Sequence, residues 1–381
     1  MSYTLPECAH PFTLNISDQD ILEWRQLLQL SKLAPETWEG QQEDRRYGVT
    51  RKWLAEAKDY WLNQYNWRAQ EKHINSFPNY RMQIEQTDLH FVALFSKKKD
   101  AVPIVFMHGW PGSFIEFLPM LALIKEQYST EDLPYHIIVP SLPGYPLSAI
   151  QSIEKKWTLD DTARIVNQLM VNLGFNKYLA QGGDVGSFVA QAMANTYEPC
   201  VGIHLNMMGM LPPPDENTPL TAMDKVALER SKKFMTTGFA YSQIHGTRPS
   251  TIGSVLCSNP LAILAWIGEK LLEWTEEDPS LDTMLTDISL YWFTGSFPAC
   301  LYIYRQFLDP AERPEMGNTS KPMGFSSFPY EVTPGIKGEI EKDNNLVFYR
   351  QHEHGGHFAA LEQPKVLWED VEEFVGKAWK V

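Results

Sequence analysis

Gln181-Gly182-Gly183-Asp184-Val185-Gly186-Ser187 is the stretch whose reading decides the fold. A short apolar run at 178–181 precedes it, and a helical pattern at 188–196 follows. Small residues around Asp184 let a strand turn sharply into a helix, so that the central side chain projects from the top of a sheet. An Asp at a helix start is also a common N-cap. The expected strand in front of it favours the sharp turn.

Working outward, the same rhythm repeats. Apolar runs at Val102–Met107, 136–140, 178–181 and 202–205 are short and nearly continuous, as expected of buried parallel strands. Amphipathic helices separate them. The segment 158–173 opens Thr158-Leu159-Asp160-Asp161, with a cap and early acids. The rhythm breaks at Leu211-Pro212-Pro213-Pro214, and a mainly helical region runs to about Pro322. Strand signals return at 323–328 and 346–352, and a last helix starts at Pro364. Upstream, Ser17-Asp18-Gln19-Asp20 reads as a helix start ahead of Ile21, Trp24, Leu27 and Leu28. A second helix runs through Trp53, Leu54, Ala57 and Trp61. After Phe77-Pro78, Leu89, Phe91, Ala93 and Phe95 alternate with His90, Val92 and Leu94 as a strand. The expected organisation is an arm with the first core strands (1–95), a first core half (96–210), an inserted helical cap (211–321) and a second core half (322–381). A lid of that kind covers the carboxyl ends of the strands, where such sheets bind ligands.

The identity of the projecting residue sets the chemistry. An Asp carboxylate is ionised at neutral pH and needs no base to activate it. Against an ester it would form an anhydride. It suits displacement at an sp³ carbon, leaving an alkyl ester on the enzyme, and epoxides and haloalkanes are the obvious electrophiles. Hydrolysing that ester takes a base for water, an acid to orient it and donors for an oxyanion. His357, in His354-Gly355-Gly356-His357-Phe358 after the last strand, is the expected base, with His352 and His354 as rivals. Glu331, after the preceding strand, is the expected acid. Glu339 and Asp343 sit nearer the start of the final strand, at the wrong end of the sheet. The loop His108-Gly109-Trp110-Pro111-Gly112-Ser113 follows an earlier strand, so the N–H groups of Trp110 and Val185 are the expected oxyanion donors. A cis Trp110–Pro111 bond fits that loop.

These residues together resemble the epoxide hydrolases of the α/β-hydrolase fold, in the microsomal-type branch with an N-terminal helical arm and nearest its soluble fungal members. His-Gly-Trp-Pro, Gly-Gly-Asp-x-Gly-Ser and Gly-Gly-His-Phe carry the resemblance, which spans nearly the whole chain. It implies an α/β fold with a mostly parallel central sheet, and conversion of an epoxide to a vicinal diol. It also implies two cap tyrosines that donate to the epoxide oxygen. The first is Tyr241, in Gly238-Phe239-Ala240-Tyr241. The second is Tyr304, chosen over Tyr302 because the family's tyrosine precedes the Arg. On a helix, residues two apart do not share a face.

Composition narrows the rest. The formal charge of −14, with no basic stripe beyond the short run 97–99, speaks against nucleic acid. Cys8, Cys200, Cys257 and Cys300 are widely spaced and show no metal pattern. No metal or cofactor is expected. The first residues, Met1-Ser2-Tyr3-Thr4-Leu5-Pro6-Glu7, read as neither leader nor anchor. No apolar run approaches the ~20 residues of a membrane span. A soluble cytoplasmic enzyme acting on a small apolar epoxide and water is therefore expected. A homodimer through the cap is an option the sequence leaves open. Trp266, Met284 and Trp292 are read as marking an apolar pocket. Two alternatives remain at this stage. A dehalogenase uses the same Asp, although haloalkane dehalogenases typically place Trp where Val185 stands. A silent ligand-binding homologue is the other, although such proteins usually lose a triad member.

Overall fold

The computed structural model describes residues 3–150, 153–209, 214–309, 311–312 and 318–380. The break read at Leu211-Pro212-Pro213 lies outside them. Ten strands form one sheet among the described residues. They are β1 (His10–Pro11), β2 (Asn79–Ile84), β3 (Thr87–Leu94), β4 (Val102–Met107), β5 (Tyr135–Pro140), β6 (Ala149–Ile150), β7 (Tyr178–Gly182), β8 (Cys200–Leu205), β9 (Met323–Ser327) and β10 (Leu346–Gln351). The order is β1-β2-β3-β5-β4-β7-β8-β9-β10, with β6 pairing β3. From β5 to β10 every neighbouring pair is parallel, while β1, β2, β3 and β6 add an antiparallel edge. The fold is thus the α/β-hydrolase arrangement that the resemblance implied.

Alternation along the strands feeds two cores, one on each face. In β3, Leu89, Phe91 and Ala93 join one cluster and Val92 and Leu94 the other. In β4, Val105 and Met107 face the first, and Ile104 and Phe106 the second. Burial on both faces explains why these strands read as continuous apolar runs. Register across β4 and β7 is fixed through Met107 opposite Gly182. That pairing sets the height of the turn that follows.

The helices from Ala222 to Leu308 stand between β8 and β9 in the chain. They are tied down by the N-terminal helices Asp18–Leu30 and Arg51–Asn63. Trp61 is fully buried, and its Nε1–H donates to Ser289 Oγ at 3.3 Å. Tyr60 Oη donates to Asp282 at 3.1 Å, and Arg45 grips Asp278 through two bonds of 2.9 and 2.8 Å. No helix among the described residues is long and apolar enough to cross a membrane by itself. The apolar segment from Pro260 to Glu273 is a mostly buried helix.

Candidate active site

The strand-to-helix turn is sharper than the sequence reading placed it. The helix begins at Asp184 itself and runs to Thr196, with Gly183 as its N-cap. Asp184 holds φ +44°, a left-handed conformation that strains a residue with a Cβ. Close packing enforces it. A Cβ at Gly186 would lie 2.2 Å from the Met107 carbonyl oxygen, so only glycine lets the helix sit against β4.

The other polar groups also follow the carboxyl ends of strands. After β4, the loop with its cis Trp110–Pro111 bond turns beneath the carboxylate. The Trp110 N–H donates to Asp184 Oδ1 at 2.7 Å. Gly109 makes this approach feasible, since a Cβ there would fall 2.1 Å from the same oxygen. His108 is buried, and its Nε2 accepts from the Leu142 N–H at 3.0 Å. Burial lowers its pKa to about 4, so it serves as a neutral strut for the loop. Val185 is buried directly after the Asp, and among the described residues its N–H makes no hydrogen bond to the carboxylate.

After β9 comes Glu331 and after β10 comes His357, both buried. His357 Nδ1 lies 3.1 and 2.9 Å from the two Glu331 oxygens, and a carboxylate partner makes that nitrogen the donor. Its Nε2 stands 3.4 Å from Asp184 Oδ2. Burial works against the charged imidazole, but Glu331 and Asp184 together outweigh it and hold the His357 pKa well above its usual value. The His357 N–H also donates to the Trp274 carbonyl oxygen at 3.0 Å, which joins this loop to the inserted helices. The rival residues are engaged elsewhere. His352 bonds Asp370 at 2.6 Å, exposed His354 bonds Glu276 at 2.9 Å, and Glu339 accepts from the Asp215 N–H at 3.1 Å. Asp343 ends the helix Lys337–Asp343.

Above the carboxylate is an apolar cavity of about 260 Å³. Asp184, Val185 and His357 form its floor, and Tyr241, Tyr304 and Trp274 are among the residues above. The Tyr241 ring stacks on Trp110 with centroids 5.0 Å apart, and meets Tyr304 edge-on at 5.8 Å. Burial, then the Asp184 charge, pushes the Tyr241 hydroxyl pKa well above the ordinary tyrosine value; burial, then Tyr241 and Asp184, does the same for Tyr304. Both stay protonated donors at neutral pH. Tyr302 points away and bonds Thr162 Oγ1 at 2.8 Å. The pocket reading of Trp266, Met284 and Trp292 is corrected, since none of the three lines this cavity. Trp266 instead donates to His245 Nε2 at 3.0 Å behind the tyrosines. Met284 lines a small adjoining chamber with Glu116 and Asp287, and composition does not separate such a face from the main pocket wall. His245 itself escaped the sequence reading, although its position four residues after Tyr241 puts both on one helix face.

Comparisons with known proteins bear on the fold and the family. A family model described as "Epoxide hydrolase N terminus" matches residues 9–117, and one described as "alpha/beta hydrolase fold" matches 102–243. A Dothistroma septosporum protein provisionally named an epoxide hydrolase is 41% identical, over 99% of this chain and 93% of its own. Epoxide hydrolase 1 of Sus scrofa is 32% identical, over 97% of this chain and 89% of its own. The solved structure of Aspergillus niger epoxide hydrolase superposes with a TM-score of 0.94 at 45% identity, covering all of both chains. The chain therefore belongs to the epoxide hydrolases of the α/β-hydrolase fold.

Proposed function

We propose that the chain opens an epoxide to a vicinal diol in two steps, through an ester on Asp184. The observation that carries this reading is one carboxylate held between two sets of groups. Beneath it stand the Trp110 N–H and the His357–Glu331 pair, and two protonated tyrosines share its cavity. In the first step, Asp184 attacks a ring carbon from behind and the C–O bond breaks. Tyr241 and Tyr304 donate to the departing oxygen, and one of them gives up its proton. In the second step, His357 takes a proton from water, which adds to the Asp184 carboxyl carbon. The oxyanion forms within reach of the Trp110 N–H, with Val185 N–H as second donor. Collapse releases the diol.

Several features support this division of labour. The carboxylate is already charged, so the first step needs no base. Glu331 orients His357 and stabilises its charged form, so the proton has a place to go. The residues 211–321 act as a cap over a core formed by 96–210 and 322–381, with 1–95 supplying an arm and the first core strands. The apolar walls exclude water from the ring-opening side and suit an apolar substrate. The four unpaired cysteines fit a reducing, cytoplasmic setting.

The test is a mass measurement on a His357→Gln variant given a small aryl epoxide. A stable adduct of epoxide mass on the peptide containing Asp184 is expected. No adduct, with wild-type turnover retained, would sink the mechanism. Halide release from a bromoalkane without diol from any epoxide would make the chain a dehalogenase instead.

A further inference from the structure

A second chamber touches Asp184 and His357 but neither tyrosine. Its volume is about 10 Å³, which matches the room one water needs. Gly109, Gly183 and Trp110 give it backbone walls, and Asn206 and Glu116 are its other polar side chains. The Asn206 Oδ1 is already taken by Gln181 Nε2 at 2.9 Å. Glu116 differs. It sits in the short turn Phe114–Phe117, after the loop that carries Trp110, and its carboxyl has no hydrogen-bond partner among the described residues. The turn holds it in place, with one carboxyl oxygen so close to Gly112 that a Cβ there would fall 2.3 Å from it.

We propose that Glu116 holds the hydrolytic water in this chamber, accepting one of its O–H bonds while His357 Nε2 accepts the other. The water's lone pair is then left facing the carboxyl carbon of Asp184. The inference rests on the ester mechanism above and completes its second step. The water oxygen bonds to the Asp184 carbon as His357 removes the first proton, and that proton passes to the leaving alkoxide as the ester C–O bond breaks. The second proton stays on the new carboxyl oxygen of Asp184. Its departure restores the proton that the tyrosine gave up in ring opening, so the cycle balances as epoxide plus water to diol.

The surroundings favour an acceptor without a charge. Asp184 and Glu331 already flank one imidazole, and a third carboxylate beside them would be costly. Burial, then Asp287, raises the Glu116 pKa well above the usual carboxyl value. Asp287 lines an adjoining chamber of about 30 Å³ with Glu116, and accepts from Ser113 Oγ at 2.6 Å. A neutral carboxyl still accepts through its carbonyl oxygen.

The experiment is single-turnover kinetics with an aryl epoxide on Glu116→Leu and Glu116→Gln. Leucine removes every polar atom at similar bulk; glutamine keeps the accepting oxygen. For the leucine variant, alkylation of Asp184 should stay within about threefold of the parent while ester hydrolysis slows at least about tenfold. Steady-state kcat and KM then fall together and kcat/KM holds. The glutamine variant should recover most of the hydrolysis rate. Hydrolysis within about twofold of the parent in the leucine variant, or an equal loss in both steps, would overturn the proposal. Should the leucine variant not fold, Glu116→Ala takes its place, with the same outcomes. Failure of the underlying ester reading shows itself differently, as the absence of any Asp184 adduct in His357→Gln.

Discussion

At the scale of single residues, the site works by setting charges against burial. His357 is buried, yet two carboxylates keep its pKa well above normal in the resting protein. In the proposed mechanism, ring opening converts Asp184 to a neutral ester and removes one of them. The His357 pKa must then fall, and the base is active only when neutral. Hydrolysis is therefore lost as pH drops through the lower pKa of the ester form. Its acid limb in rapid-quench experiments should lie below the resting His357 pKa measured by NMR; coincidence of the two would contradict this account. The tyrosines make a second case. Both remain protonated because burial opposes their anions. Each Tyr→Phe change, at 241 or 304, should slow alkylation about 100-fold. Because the two serve one oxygen, the double variant should lose less than the product of the singles. Single-turnover rates on the three variants decide it. Asp184, Glu331 and His357 were legible in the sequence because each follows a strand in the expected order. Glu116 was not, because a glutamate near a helix start reads as solvated unless its surroundings are known.

At the scale of elements, legibility followed burial. In strands sunk on both faces, such as Val102–Met107, the apolar run and the strand share the same bounds. The helix Trp67–Ile74, with Trp67, Glu71 and Ile74 its buried residues, passed unread. The helix at the turn was read only from Phe188. Gly186 lowers helix propensity in its first turn, and contacts with β4 and β7 override that preference. Caps were read more surely. Thr158 and Asp161 form a reciprocal capping box on the helix Leu159–Asn172. Thr158→Ala should cost about 1 kcal/mol in denaturant unfolding. Since Thr158 does not line the cavity, kcat/KM should be unchanged.

At the scale of the whole molecule, the alternation of strands and helices announced the architecture, but nothing in it told which faces of the inserted helices look inward. That depends on how the arm pins them. Trp61, Tyr60 and Arg45 anchor the insertion from outside, and Trp266, Met284 and Trp292 do not line the cavity over Asp184. The bond from the His357 N–H to the Trp274 carbonyl then acquires a mechanical meaning. The base hangs from the roof of the chamber as well as from its floor. Any excursion of the roof that widened the entrance would drag the imidazole out of line with Asp184. On the proposed mechanism, a shift of that roof and scission of the ester would therefore act on one joint.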